Sequence, residues 1–68
     1  MQIDGRAVDI SKNYLDPVTY VPAHANGNAG HEDCEKGNII SVSSNAIKVL
    51  YSKSRTVQST NPEDLVWG

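Results

Sequence analysis

An alternation of apolar and polar side chains over residues 38–52 constrains the fold of this 68-residue chain more than any other feature. A period of two places the apolar side chains on one face of a β-strand. Ser44-Asn45 interrupts the alternation with residues typical of turns. The segment therefore predicts an antiparallel hairpin with one buried face. The residues expected on that face are Ile40, Val42, Ile47, Val49 and Tyr51.

Two further strands flank this hairpin. Residues 18–21 are rich in β-branched and aromatic side chains, which favour strands, and Pro22 ends the segment. A turn at 53–55 leads to a third, more polar strand at 56–60, centred on Val57. The hairpin is therefore expected to belong to a larger antiparallel sheet.

The C-terminal end predicts one helical turn followed by a short strand. Asn61 precedes Pro62, and the residue before proline is held extended, as an N-cap requires. Proline suits the first helical position, and acidic residues favour the first turn. The turn is expected near 62–65, and Val66-Trp67 follow it as a strand.

Residues 1–16 are interpreted as an N-terminal lead-in or edge segment. Val8 and Ile10 alternate with their neighbours after a turn at Asp4-Gly5, which favours a short strand. The alternative is a helical turn capped by Ser11 that stops before the following proline. We prefer the edge strand.

These elements predict an all-β fold, an SH3-like small barrel of about five mostly antiparallel strands over residues 17–68. A strand, a long loop, a three-stranded meander, one helical turn and a short strand are the plan of such a barrel. A barrel limits exposed strand edges, which lets a short chain bury enough apolar surface. The expected core is Val18, Tyr20, Ile40, Val42, Ile47, Val49, Val57 and Leu65.

Composition argues against several classes of protein. The net charge is -2 and the six basic residues are dispersed, so we expect no general affinity for nucleic acid. A single cysteine excludes an internal disulfide and favours a reducing compartment. No apolar run approaches the length of a membrane span, and the N-terminus has no signal-peptide core. The expectation is a cytoplasmic monomer without membrane association.

The residues with distinctive chemistry lie in a loop at 23–36. Both histidines and the only cysteine occur there, beside three acidic residues. A loop of 14 residues in so small a domain is uncommon, and is either ordered by its own contacts or functional.

The same region carries a resemblance to a known family. The matching residues are Tyr20-Val21-Pro22, His24-Ala25, Gly27, His31, Asp33-Cys34-Glu35, Gly37, Ile39, Ser41-Val42, Pro62, Asp64-Leu65 and Trp67. They resemble short uncharacterised phage and prophage proteins that are predicted to form an SH3-like barrel. Family members often enter the first strand with Gly-Asp, whereas Asp16-Pro17 stands here. The resemblance implies a fold and a phage origin, with the host cytoplasm as location, and no established activity.

Two interpretations of the loop are left open. His24, His31 and Cys34 are zinc ligands by type, and a neighbouring carboxylate supplies a fourth. Their spacing lacks the Cys-x2-Cys pair of zinc fingers. In the other interpretation, which we prefer, the histidines bond to backbone groups and shape the loop, and Cys34 is a small buried hydrophobe. The prediction is therefore no cofactor, with zinc as the alternative.

A third interpretation, catalysis by Cys34 with a histidine base, is rejected as the first choice. The acidic neighbours of Cys34 disfavour a thiolate, and a barrel of this size offers little concavity. We predict that the protein is not an enzyme.

The predicted function is a phage- or prophage-derived binding or adaptor module that contacts a host or phage protein through the 23–36 loop and nearby aromatic residues. Its predicted binding residues are Tyr14, His24, Asn26, His31, Asp33, Glu35 and Trp67. The alternatives are a zinc-stabilised small domain and a nucleic-acid accessory protein of the small-barrel kind.

Overall fold

A computed structural model describes residues 1–68 and contains two antiparallel sheets. The strands are β1 (Gln2–Ile3), β2 (Arg6–Ala7), β3 (Pro17–Tyr20), β4 (Glu35–Val42), β5 (Ile47–Tyr51), β6 (Thr56–Thr60) and β7 (Leu65–Trp67). The helical elements are α1 (Ile10–Asn13) and the 3-10 turns Ala23–Ala25 and Pro62–Asp64. None of these helices has the length and apolar character needed to cross a bilayer.

The main sheet has five strands in the order β6-β5-β4-β3-β7, and every neighbouring pair is antiparallel. The all-β class and the predicted succession of elements are confirmed. The chain returns through the second 3-10 turn so that β7 pairs with β3. The sheet is open, with β6 and β7 as its edges.

The helical turn predicted near 62–65 is observed at Pro62–Asp64. Asn61 is its N-cap, and its side chain accepts a hydrogen bond from the Glu63 N–H at 3.0 Å. Pro62 occupies the first turn, where the missing N–H has no intrahelical partner to lose. Local capping chemistry was therefore sufficient to locate this element.

The β4–β5 hairpin is confirmed, but the buried face of β4 differs from the prediction. Ile39 is fully buried, whereas Ile40 is half-buried. The register shifts between Ile39 and Ser41, and such a bulge changes which side chains face inward. The prediction of Ile40 as a core residue is wrong because alternation before a bulge has a different phase from alternation after it.

Seven buried hydrophobic side chains form the core. They are Ile3, Val18, Ile39, Ile47, Val49, Tyr51 and Leu65. The predicted core residues Tyr20 and Val42 are partly buried and pack against this cluster. The prediction of Val57 is wrong, because that side chain is 50% exposed. Val57 pairs with Leu50, which points away from the core between Val49 and Tyr51, so Val57 lies on the outer face as well.

The N-terminal segment differs most from the sequence interpretation. The turn at Asp4-Gly5 is present, but it joins β1 to β2. The prediction of an edge strand through Ile10 is wrong, because residues 10–13 form a helix. Asp9, rather than Ser11, caps that helix by accepting from the Ser11 N–H at 3.0 Å. The hairpin places Ile3 in the core, and no periodic pattern in the sequence signals this contact.

Candidate functional site

The histidine loop, residues 21–34, connects β3 to β4. The prediction placed its end at residue 36, but β4 already begins at Glu35. Three hydrogen bonds of the same kind follow one another along the loop, from the N–H groups of residues 28, 31 and 34 to the carbonyls three residues earlier. The loop is therefore ordered by its own backbone contacts.

Two successive residues with positive φ set the path of this loop. The 3-10 turn ends at Asn26, which adopts a left-handed conformation with φ of 51°, and Gly27 follows with φ of 78°. Asparagine and glycine are the residues that adopt this conformation most readily. Ala25 is the buried residue of this turn. The role of Asn26 in the structure is thus to turn the chain, with its side chain exposed.

The loop brings together His24, His31 and Asp33, here called the His–Asp cluster. His24 Nε2 lies 2.7 Å from Asp33 Oδ2, and His31 Nδ1 lies 4.0 Å from the same oxygen. His31 Nδ1 also accepts a hydrogen bond from the Asp33 N–H at 3.0 Å. The two imidazole rings meet edge to face, with centroids 5.4 Å apart. Two basic side chains thus converge on one carboxylate.

The cluster is open to solvent, with side-chain exposures of 61% for His24, 55% for Asp33 and 33% for His31. The hydrogen bond from His24 lowers the pKa of Asp33, and positive charge on His24, His31 and Lys53 acts in the same direction. Desolvation opposes this effect and is second in size only to the His24 hydrogen bond. The site therefore favours the ionised carboxylate, which is the form that binds a cation.

Cys34 is placed apart from the cluster. Its sulfur donates to the Asn28 carbonyl oxygen at 3.3 Å, and the residue is half-buried. The grouped ligand atoms come from His24, His31 and Asp33 and lie within 4.8 Å of one another. The structure thus gathers both predicted histidine ligands, and the third residue that it places with them is Asp33.

A second site, the tyrosine pocket, lies at the base of the histidine loop. Its cavity has a volume of about 300 Å³ and is lined by Tyr20, Glu35, Tyr51, Gln58, Ser59, Thr60, Asn61 and Asp64. Tyr20 is the last residue of β3 and pairs with Glu35, the first residue of β4. The loop therefore begins and ends at this pocket.

Hydrogen bonds and ring contacts hold the pocket walls. The Tyr51 hydroxyl lies 2.6 Å from Thr60 Oγ1, and the Tyr20 ring meets the Tyr51 ring edge to face with centroids 6.3 Å apart. Glu35 Oε2 accepts from the Ser54 N–H at 2.6 Å. These contacts orient the wall side chains before any ligand arrives.

The pocket has a negative electrostatic character. Burial raises the pKa of Tyr51, and the charges of Glu35, Tyr20 and Asp64 raise it further, while the hydrogen bond with Thr60 lowers it. The lining contains two carboxylates and neither lysine nor arginine. A positively charged group entering the pocket therefore meets two carboxylates and no lysine or arginine in the lining.

Three predicted binding residues lie outside both sites: Asn26, which turns the loop as described above, Tyr14 and Trp67. Tyr14 is 58% exposed and follows α1. Trp67 fastens the N-terminal hairpin, because its Nε1 donates to the Ile3 carbonyl at 2.8 Å and the Arg6 guanidinium lies 4.0 Å above its ring. This cation–π contact uses a ring face that would otherwise be available to a partner.

Of the eight pocket residues the sequence interpretation names only Glu35 as a binding residue, and it misses Tyr20, Tyr51, Thr60 and Asp64 among the rest. The period of the strand indicates that Tyr51 is inward, and it gives no sign that its hydroxyl reaches a cavity. Only the pairing of β7 with β3 brings the second 3-10 turn beside Tyr20.

No protein family, curated protein or solved structure matches this chain.

Proposed function

We propose that this chain is a small protein-recognition module that receives a positively charged side chain of its partner in the tyrosine pocket. The proposal includes an SH3-like barrel and, from the sequence resemblance, a phage or prophage origin with a host or phage protein as partner. The order of β3, long loop, three-stranded meander, 3-10 turn and returning β7 is the plan of such a barrel, here with the sheet left open between β6 and β7.

The acid-lined cavity is the observation that carries the proposal. Its volume of about 300 Å³ is at the lower end of ligand pockets, which range from ~300 to 1,000 Å³. A guanidinium or ammonium group with part of its stem matches this size. Glu35 and Asp64 supply charge-assisted acceptors, and Tyr20 and Tyr51 form part of the cavity wall.

The position of the pocket connects it to the loop predicted to contact a partner. Tyr20 and Glu35 stand at the two ends of the histidine loop and also line the cavity. A partner segment that inserts a basic side chain here lies directly beside the loop. The binding role predicted for Glu35 is kept in this proposal, and Tyr20, Tyr51 and Asp64 are added to it.

The same charges favour a protein partner over nucleic acid. Phosphate groups carry negative charge and are repelled by Glu35 and Asp64, whereas a basic peptide is attracted. Binding of this kind requires charge and shape alone, so the proposal assigns the pocket neither a cofactor nor a catalytic reaction.

The proposal is tested by nuclear magnetic resonance titration of the 15N-labelled chain with the peptides Gly-Arg-Gly and Gly-citrulline-Gly. Citrulline has nearly the same shape as arginine without its charge. We expect the arginine peptide to shift amide signals of pocket residues in a saturable, salt-sensitive manner, and the citrulline peptide to shift them at least several-fold less.

A matched pair of double variants sharpens this test. Glu35→Gln with Asp64→Asn removes both pocket charges and should weaken arginine binding at least tenfold. Asp4→Asn with Asp9→Asn makes the same change in net charge in the N-terminal segment, which does not line the pocket, and should leave binding nearly unchanged. Equal binding of both peptides, or equal losses in both double variants, would exclude the pocket as a cation site.

A further inference from the structure

We propose that His24, His31 and Asp33 form a binding site for a divalent transition-metal ion, with Zn²⁺ as the physiological candidate. Each side chain offers one ligand atom, and the three atoms lie within 4.8 Å of one another. Two imidazole nitrogens and a carboxylate oxygen are ligands that Zn²⁺ takes in sites with three protein ligands. This inference rests on the histidine loop and is independent of the tyrosine pocket.

The spacing of the three atoms suits a metal of this size. Zinc binds nitrogen and oxygen at about 2.0–2.2 Å, which places neighbouring ligand atoms roughly 3.3 Å apart in a tetrahedron. The distances to Asp33 Oδ2 are 2.7 Å from His24 Nε2 and 4.0 Å from His31 Nδ1. These two distances need to change by less than 1 Å, and the two histidine nitrogens, which lie within 4.8 Å of each other, need to approach by at most about 1.5 Å.

The backbone places the ligands before any ion is bound. His24 lies in the 3-10 turn Ala23–Ala25, and His31 and Asp33 belong to the series of backbone turns that continues to Cys34. The ion replaces two existing contacts, the His24–Asp33 hydrogen bond and the bond that His31 Nδ1 accepts from the Asp33 N–H. Because those contacts are lost on binding, we expect micromolar rather than tighter affinity, and a fold that does not require the metal.

The ligand set distinguishes this site from one that uses the cysteine. Cys34 keeps its sulfur on the Asn28 carbonyl, so the site has two nitrogens and one oxygen and no thiolate. Such a set binds Cu²⁺ and Zn²⁺ in preference to Mg²⁺ or Ca²⁺, which favour oxygen ligands. With three protein ligands, water or a donor from a partner completes the coordination.

Isothermal titration calorimetry of the tag-free full chain with Zn²⁺ tests the site. We expect one ion per chain, at least tenfold weaker binding in His24→Ala, His31→Ala and Asp33→Asn, and unchanged binding in Cys34→Ser. Unchanged affinity in Asp33→Asn, a loss in Cys34→Ser, or no binding by the wild type would overturn the proposal.

Cobalt substitution and amide mapping identify the metal ligands in the wild type, so they distinguish lost ligands from a variant that only disturbs the loop. Co²⁺ bound to the wild type should show visible d–d bands without the near-ultraviolet thiolate charge-transfer band. Zinc should shift amide signals within residues 22–35 and leave those of the tyrosine pocket walls β5 and β6 in place. A thiolate band, or shifts spread over the whole sheet, would contradict the assigned ligands.

Discussion

The β4–β5–β6 meander and the histidine loop reach an ordered structure by different routes. In the meander, apolar side chains alternate and fill a core that excludes water, as the burial of Ile47, Val49 and Tyr51 shows. In the loop, only Ala25 and Pro22 are buried, and order comes from successive backbone turns and the His–Asp cluster. The meander therefore depends on packing, whereas the loop depends on exposed polar contacts. Breaking such contacts costs little free energy, so the side chains that make them can bind a ligand instead.

Truncation of neighbouring isoleucines should give the largest effect on the meander. Ile39→Ala removes a fully buried side chain and should lower the free energy of unfolding by about 2–5 kcal/mol. Ile40→Ala removes a half-buried side chain and should cost clearly less. Urea unfolding measures both. If Ile39→Ala does not fold, Ile39→Val should still cost roughly 0.5–1.5 kcal/mol. Equal costs for the two alanine variants would contradict the observed phase of β4.

A pair of glycine substitutions compares packing in the two regions directly. At Gly37 an added Cβ would lie 2.5 Å from Val49 Cγ1 and 2.7 Å from the Leu50 carbonyl oxygen. Gly37→Ala should therefore destabilise the protein by about 1–3 kcal/mol through overpacking. Gly30→Ala in the loop meets only the Asn28 side chain, at 3.3 Å. Its effect should stay within about 0.5 kcal/mol. A larger cost at Gly30 than at Gly37 would reverse the comparison.

The pH dependence of stability should reveal the buried phenol of the meander. Burial raises the pKa of Tyr51, so the unfolded chain loses this proton first as the pH rises past its ordinary value of 10.0. The stabilising contribution is complete below that pH and declines as the pH rises through the folded-state pKa. Melting temperatures between pH 8 and 11 should therefore fall more steeply in the wild type than in Tyr51→Phe. Tyr14→Phe, at an exposed position, should behave as the wild type does.

The smallest effect concerns the loop at low pH. The His24 hydrogen bond lowers the pKa of Asp33, so the ionised form is favoured in the fold. This contribution is present above the ordinary value of 3.8 and declines as the pH falls through the folded-state pKa. Because the carboxylate is exposed, global stability should change little, and carboxyl NMR is the suitable measurement.

In that titration, the Asp33 midpoint should lie below its ordinary value in the wild type and move upward in His24→Ala. Asp9 is the internal control, because the Ser11 side chain lowers the pKa of that carboxyl and His24 does not touch it. An Asp33 midpoint that His24→Ala leaves unmoved would show that the His–Asp contact does not persist in solution.

The elements of the sheet follow from local properties of the chain. Alternation located β4 and β5, the proline–asparagine cap located the second 3-10 turn, and the cluster of histidines and acids located the loop. These features depend on contacts between residues close in sequence, or on the period of a strand, so one sequence suffices to predict them. The sequence alone does not predict that Asp33 is the carboxylate beside the histidines, because residues 32, 33 and 35 are equally well spaced for that contact.

Contacts between distant parts of the chain were decided only by the tertiary structure. The bulge after Ile39 changed the inward face of β4, and the pairing of Leu50 with Val57 turned Val57 outward. Ile3 entered the core from a hairpin that Trp67 fastens, 64 residues away in sequence. The tyrosine pocket arose where β7 returned to β3. Each of these features depends on strand register and on which distant strands pair. The free energy that selects the register and the pairing is the sum of many weak contacts over the whole fold, and no local pattern of residues encodes that sum.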